Sequence, residues 1–132
     1  MEKKELRVII AGSRDFVNYV FLKEKVDEIM KSEREKHPWL EVVIVSGGAR
    51  GVDRLGERYA RERNLKLECF LADWNLYGKQ AGMVRNRQML TFARKEHSML
   101  IAFWDGISRG TKNMIQISLE AGIDIHIVPI TT

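Results

Sequence analysis

Five short apolar segments alternate along the chain with segments of helical periodicity, and this alternation limits the possible folds more than any other feature. Strands that alternate with helices form a parallel sheet whose crossover connections are right-handed. In chain order, the segments predicted to be strands are residues 6–11, 40–45, 65–71, 99–104 and 125–130.

The residue pattern of the five segments also predicts their order in the sheet. The first, second and fourth are continuous apolar runs, which is typical of strands buried on both faces. The third alternates apolar and charged residues, and the fifth contains His126 and Pro129, so both belong at the edges. The order 3-2-1-4-5 satisfies these conditions simply. The sequence therefore predicts a Rossmann-like three-layer α/β/α fold with a five-stranded parallel sheet.

The segments between the strands predict four helices. Asn18 is expected to cap the first helix, and the second begins near Val52. The third is predicted over residues 83–96 and the fourth over residues 112–121, with Gly122 as its stop.

Length and composition indicate one globular domain over residues 1–132, since 45% of the residues are hydrophobic and 30% are charged. No apolar run approaches the ~20 residues that span a bilayer, so no membrane partner is expected. The single cysteine, Cys69, is expected to be buried and inert, which fits a reducing, cytoplasmic setting. The net charge of +4 permits an anionic ligand or nucleic acid and requires neither.

The turn after the second strand, Ser46-Gly47-Gly48-Ala49-Arg50-Gly51-Val52-Asp53, is the first indication of a ligand. A strand that turns through glycines into a helix leaves unpaired backbone N–H groups, and these favour an anion such as phosphate. Gly48 and Gly51 permit positive φ and close approach of a ligand. A capped turn without a ligand is the alternative, in which Asp53 only complements the helix dipole.

Similar turns follow the first and fourth strands, between which the strand order reverses and a ligand crevice is expected. The residues concerned are Gly12, Ser13 and Arg14 after the first strand, and Asp105, Ser108, Gly110 and Thr111 after the fourth. Arg14 could bind phosphate in a bidentate manner, or it could be an exposed arginine of an ordinary turn. Thr111 could equally be a helix cap.

Two further groups are predicted near the crevice. Arg85 and Asn86 lie near the start of the third helix, where a ligand could supply the partners that a buried asparagine needs. The alternative is an asparagine that tethers a loop. Trp74 and Tyr77 lie in the loop before this helix, where they could stack on a base or close the core.

Several classes of site are not indicated. The first turn is not G-x-G-x-x-G, and no G-x-x-x-x-G-K-[ST] sequence is present, so neither a nicotinamide dehydrogenase nor a P-loop ATPase is predicted. The three histidines are scattered and only one cysteine is present, so no metal site is predicted. No cofactor is expected.

Four motifs in this order resemble those of the SLOG superfamily, and in particular its small YspA/YpsA-related group. They are Gly-Ser-Arg, Ser-Gly-Gly-Ala-Arg-Gly-Val-Asp, Ala-Gly followed by Arg-Asn-Arg-Gln-Met, and Trp-Asp-Gly-x-Ser-x-Gly-Thr. The resemblance extends from Val8 to about Thr111. It implies a domain that binds a nucleotide or a nucleotide-derived ligand.

Two related families refine this expectation. The first three motifs are similar to those of the DprA/Smf family, which binds single-stranded DNA and loads recombinase. The "lonely guy" phosphoribohydrolases carry a catalytic glutamate after a Gly-Thr turn. Here that turn continues as Gly110-Thr111-Lys112-Asn113-Met114, with no acid at the corresponding position. The resemblance therefore implies the phosphate-binding half of that site without its catalytic half.

The leading hypothesis is a nucleotide-binding domain, a sensor or an N-glycosidic hydrolase, with phosphate at the glycine turns and Arg14 and Arg85 as counter-charges. If hydrolysis occurs, Asp53, Asp73 or Asp105 would be the assisting carboxylate. The alternative is a DprA-like protein that binds single-stranded nucleic acid through basic and aromatic residues. A homodimer is expected, and a dimeric structural module with a vestigial pocket is the third possibility.

Overall fold

The structure is a computed structural model and describes residues 2–131. Within these residues strands and helices alternate, as predicted. The elements in chain order are β1 (Glu5–Gly12), α1 (Tyr19–Lys36), β2 (Glu41–Ser46), α2 (Val52–Glu62), β3 (Lys66–Cys69), α3 (Trp74–Tyr77), a 3₁₀ turn (Gly78–Gln80), α4 (Ala81–Ala93), β4 (His97–Trp104), α5 (Arg109–Ala121) and β5 (Asp124–Pro129).

The strands form one parallel sheet in the order β3-β2-β1-β4-β5, which confirms the predicted Rossmann-like topology. In the centre of the sheet, Ile9 lies opposite Val45 on one side and Leu100 on the other, and all three are fully buried. Burying an aliphatic side chain of this size contributes about 1.5–3 kcal/mol. The continuous apolar runs therefore occupy the centre because only there are both faces of a strand covered.

Helices cover both faces of the sheet and create two separate cores. Val8 and Ile10 point to the face covered by α1 and α2, where they pack with Leu22 of α1. Ile9 and Ala11 point to the face covered by α4 and α5. This alternation along one strand is the period of two that the extended backbone imposes.

The predicted helix ends are confirmed at both positions where a specific residue was expected. The Asn18 side chain accepts a hydrogen bond from the N–H of Phe21 at 3.1 Å, as an N-cap does. Gly122 ends α5 in the left-handed conformation, with φ at 73°.

Several local predictions are wrong. The segment predicted to be a loop before α4 contains the short helix α3, and α4 spans Ala81–Ala93 rather than residues 83–96. The last helix, α5, begins at Arg109 rather than at residue 112. Cys69 is exposed rather than buried, and Leu71 is 72% exposed. Both lie at or just after the end of β3, which is a four-residue edge strand rather than the predicted strand over residues 65–71. No helix within residues 2–131 is long and apolar enough to cross a membrane.

Candidate functional site

The turns after β1, β2 and β4 meet at the carboxyl edge of the sheet, where two adjacent cavities lie. The first, here called the inner cavity, has a volume of about 330 Å³, within the range of small-molecule sites. The predicted site residues that line it are Gly12, Arg14, Asp53, Arg85, Asn86, Ser108, Gly110 and Thr111. Residues from four separate segments of the sequence therefore lie around one cavity.

The second cavity, here called the outer cavity, lies on the β2–β3 side and has a volume of about 490 Å³. Gly47, Gly48, Arg50 and Trp74 line it, together with Leu71 and Ala72. Arg14, Ala49 and Arg85 line both cavities and so form the wall between them. The predicted site is therefore divided into two compartments that share two arginines.

Four predicted site residues line neither cavity and have structural roles instead. Ser13 is buried, its N–H donates to the carbonyl oxygen of Phe103 at 3.3 Å, and its hydroxyl accepts from the N–H of Asp15 at 3.2 Å. The carboxylate of Asp105 accepts from the N–H groups of Ile107 and Ser108, each at 2.8 Å, and so shapes the turn before α5. Neither residue lines the inner or the outer cavity.

Ser46 and Gly51 are the other two. The Ser46 hydroxyl donates to the carboxylate of Glu57 at 2.7 Å and accepts from the N–H of Gly48 at 3.1 Å. Gly51 has φ at 78°, and a Cβ on it would lie 2.3 Å from the carbonyl oxygen of Ser13. Gly51 therefore allows the turns after β1 and β2 to pack together, which explains its position without a ligand.

Some backbone N–H groups near the cavities donate hydrogen bonds to acceptors of the protein, and others have no acceptor among residues 2–131. The N–H of Ala49 donates to the Asp53 carboxylate at 3.1 Å, and that of Val52 donates to the carbonyl oxygen of Ser13 at 3.1 Å. At α5, in contrast, the N–H groups of Gly110 and Thr111 have no hydrogen-bond partner among residues 2–131. The open amides are thus those of α5, where Gly110 and Thr111 line the inner cavity.

Ser108 occupies the N-cap position of α5 but does not cap it. Its hydroxyl lies 3.1 Å from the Thr111 hydroxyl, and no side chain accepts from the first N–H groups of the helix. Thr111, which the sequence offered as a cap, is buried inside the first turn. An anion in the inner cavity would complete this helix end, since the helix dipole favours negative charge there.

Arg85 is held in place by two of its own nitrogens. Its Nη1 donates to the carbonyl oxygen of Gly47 at 2.5 Å, and its Nε donates to the Asn86 side chain at 3.1 Å. Burial lowers the pKa of Arg85 from its usual value, although the Asp53 carboxylate opposes this. Its Nη2 has no hydrogen-bond partner among residues 2–131, so the N–H groups of this nitrogen remain available to a ligand.

Asp53 is the one carboxylate among the inner-cavity residues, and it is only 6% exposed. Burial raises its pKa to about 6, while the hydrogen bond from Ala49 and the charge of Arg85 act in the opposite direction. Arg14, Arg85 and Arg109 line the same cavity. The arginines therefore outnumber the carboxylate, and the cavity carries an excess of positive charge that suits an anion.

Asn86 is buried, as predicted, but its partners come from the protein. Its amide nitrogen donates to the carbonyl oxygen of Gly110 at 3.2 Å and to the side chain of Asn113 at 3.0 Å. Its oxygen accepts from Arg85. The amide nitrogen of Asn86 therefore fastens α4 to the start of α5, which agrees with the alternative that this asparagine is a tether.

Several residues at the site were not predicted from the sequence. Glu57 is buried beneath the β2–α2 turn as the partner of Ser46, and Met89, Arg109 and Met114 line the inner cavity. Glu57 follows Asp53 by four residues and so lies on the same helix face, which was an available signal. The two methionines resemble ordinary core residues in the sequence. Within residues 2–131 no group of three or more His, Cys, Asp or Glu residues could hold a metal ion.

The family described as "YspA, cpYpsA-related SLOG family" matches residues 6–77, which include the turns after β1 and β2. The chain is 34% identical over 124 residues to the Gene 61 protein of Mycobacterium phage D29, covering 90% of this chain and 93% of that protein.

A solved structure has the same fold. DNA processing protein A (DprA) from Streptococcus pneumoniae matches 98% of this chain with a TM-score of 0.68 and 19% sequence identity. The match covers 51% of the DprA chain, so this chain corresponds to about half of that protein. The fold, the family match and the phage relative together show that this chain belongs to the YspA, cpYpsA-related SLOG family.

Proposed function

We propose that this protein binds a nucleotide or a nucleotide-derived phosphate ligand at the carboxyl edge of its sheet. The phosphate would occupy the inner cavity, in contact with the start of α5 and with Arg14 and Arg85. The observation that carries the proposal is the combination of open amides at Gly110 and Thr111 with an unused guanidinium nitrogen of Arg85. Donors that converge on one cavity without protein acceptors are the arrangement by which proteins bind phosphate.

The same cavity has one candidate group for hydrolysis of an N-glycosidic bond. Asp53 lines it with a pKa of about 6, which suits proton transfer near neutral pH. Asp73, in contrast, caps α3 by accepting from the N–H of Leu76 at 3.0 Å. The turn that resembles the phosphate-binding turn of the phosphoribohydrolases is followed by Lys112, Asn113 and Met114, and of these Met114 lines the cavity without supplying an acid. If the protein is a hydrolase, we therefore infer that Asp53 replaces that glutamate.

Thermal unfolding in the presence of ligands tests the proposed binding. We expect one or more of the four ribonucleoside 5′-monophosphates to raise the melting temperature, because a ligand that binds only the folded state stabilises it by about 2.7 kcal/mol at a hundredfold excess over Kd. Arg85→Gln should abolish the shift, whereas Arg34→Gln, at an exposed arginine in the last turn of α1, should leave it intact. No shift with any nucleotide or with inorganic phosphate would contradict the proposal.

One observation favours single-stranded nucleic acid as a second candidate ligand. A row of exposed arginines begins at Arg50 beside the outer cavity and continues along α2 as Arg54, Arg58 and Arg61, at helical spacing. Three of them are paired with acids, since Arg50, Arg58 and Arg61 lie within 3.3–3.6 Å of carboxylates. The row is therefore partly neutralised, which is why we place this function second.

A salt titration separates the two candidates. Binding of an oligonucleotide along the arginine row should weaken steeply with salt, because each neutralised phosphate releases counterions. Replacing Arg54 and Arg58 together by Gln should reduce oligonucleotide affinity and the salt slope while leaving the affinity for a mononucleotide unchanged. If the double variant binds the oligonucleotide as wild type does, the arginine row is not its binding surface.

A further inference from the structure

We propose that the two cavities form one bipartite site, in which the outer cavity receives the aromatic base of a ligand whose phosphate occupies the inner cavity. Trp74 would be the surface on which the base stacks. This inference rests on the proposed function, because it requires a phosphate-bearing ligand in the inner cavity. It adds the orientation of the ligand and the residue that selects for a ring.

The wall between the cavities allows one ligand to extend across it. Arg14, Ala49 and Arg85 are common to both linings, and Ala49, the smallest of the three, has only a methyl side chain. A ligand with its phosphate at the start of α5 would pass these three residues to enter the outer cavity, where both arginines are within its path.

Trp74 is positioned to accept a planar group. Its side chain is 51% exposed, and it makes no ring–ring or cation–π contact with another of residues 2–131. It is the first residue of α3, which Asp73 caps, so its backbone position is fixed. An exposed indole of this kind, next to a cationic cavity, is suited to stacking on a base.

The space beside Gly82 lies near both the indole of Trp74 and Nη2 of Arg85. A Cβ at Gly82 would lie 3.8 Å from the indole Cη2 and 3.9 Å from Nη2 of Arg85. The ring and the unused guanidinium nitrogen therefore border the same space beside the first turn of α4. A ligand bound to Nη2 through an anionic oxygen would therefore be within reach of the indole.

This arrangement defines a chemical class of ligand, namely a phosphomonoester at one end and a flat aromatic ring at the other, as in a nucleoside 5′-monophosphate. The outer cavity supplies a stacking surface with backbone of the β2–α2 turn and the side chain of Arg50. Stacking tolerates every base and increases with ring area. We therefore expect purine nucleotides to bind more tightly than pyrimidine nucleotides.

The experiment compares the affinities of adenosine 5′-monophosphate and ribose 5-phosphate for wild type and three variants by calorimetry. Trp74→Ala should lower the affinity for the nucleotide about tenfold or more, as loss of base stacking does, and leave that for ribose 5-phosphate unchanged. Trp39→Ala is the matched control, since Trp39 is 64% exposed but precedes β2 at the opposite edge of the sheet. It should change neither affinity.

Trp74→Phe separates stacking from folding, because it keeps a ring and should retain most of the affinity for the nucleotide. Equal affinity of wild type and Trp74→Ala for the nucleotide would overturn the bipartite site while leaving phosphate binding in the inner cavity intact. A parallel loss of affinity for ribose 5-phosphate in Trp74→Ala would also overturn it, since the effect would then not concern the ring. If wild type binds neither compound, both the inference and the proposed function fail.

Discussion

The guanidinium of Arg85 donates a hydrogen bond to the carbonyl oxygen of Gly47, and so joins the start of α4 to the turn after β2. The two residues are 38 positions apart in the sequence. A Cβ on Gly47 would lie 2.7 Å from Nη1 of Arg85 and 2.9 Å from the carboxylate of Asp53. A glycine is needed at position 47 because the guanidinium of Arg85 occupies the space that a side chain would fill. Backbone conformation is not the reason, since the φ of Gly47 is not positive.

Gly47→Ala should weaken phosphate and nucleotide binding while the protein remains folded. The added methyl group meets the flexible end of Arg85, so the guanidinium moves away rather than the backbone. We expect the affinity for adenosine 5′-monophosphate to fall about tenfold, on the order of one lost charge-assisted hydrogen bond. Calorimetry measures this change.

Thr91→Ala is the control for this variant, because Thr91 is exposed on the same helix as Arg85 and lines neither the inner nor the outer cavity. It should bind the nucleotide within about threefold of wild type, since exposed substitutions away from a site change little. Equal affinities for wild type and Gly47→Ala would show that the position of Arg85 does not determine binding.

Asn86→Ala should reduce both stability and binding. It removes the donor to the carbonyl oxygen of Gly110 and the acceptor for Nε of Arg85, two part-buried hydrogen bonds that join α4 to α5 and hold the guanidinium. We expect the free energy of unfolding to fall by about 1–3 kcal/mol in chemical denaturation. Because α5 loses its tether, nucleotide affinity should fall as well.

Gln88→Ala is the matched control, an exposed residue on the same helix. Its unfolding free energy should stay within about 0.5 kcal/mol of that of wild type. If Asn86→Ala lost stability but bound the nucleotide normally, the contact of Asn86 with α5 would not contribute to ligand binding.

Asp53 should make the stability of the protein depend on pH. Its pKa is about 6 in the folded protein and 3.8 as the ordinary value, so between pH 4 and 6 the folded state binds a proton that the unfolded state releases. The free energy of unfolding therefore falls as pH rises through this window, by up to about 3 kcal/mol at 1.36 kcal/mol per pKa unit.

Asp53→Asn removes this titration and retains an oxygen that can accept from Ala49. We expect the variant to gain stability relative to wild type as pH increases from 4.5 to 7.5, measured by denaturant unfolding at each pH. A difference between the two proteins that is constant across this range would mean that the Asp53 carboxyl is not perturbed by burial.

The topology could be predicted from the sequence because it follows from patterns within single segments. Continuous apolar runs and polar alternation are local properties of the sequence. The apolar runs form the central strands β1, β2 and β4, which are buried on both faces, and the alternating segment forms the edge strand β3. The meeting of the three turns then follows from the parallel arrangement of the strands.

The roles of individual site residues depend on tertiary contacts that no local pattern contains. Ser13 and Asp105 look like ligand-binding residues in the sequence, but their polar atoms are used by neighbouring backbone N–H groups. Asn86 finds its partners on α5, 24 and 27 residues away. The helix α3 was missed because four residues are too few to show a period, and Cys69 because an edge strand leaves part of its pattern exposed.

A titration of the isotopically labelled protein with adenosine 5′-monophosphate, followed through its backbone amide resonances, is the most direct test of convergence at the carboxyl edge. The account predicts that the amides of Gly110 and Thr111 shift together with the Arg85 side-chain resonances, all with one dissociation constant. Amides at the amino edge, such as that of Trp39, should stay unchanged. Unshifted Gly110 and Thr111 resonances at saturation would contradict the account, because the open end of α5 would then hold no part of the ligand.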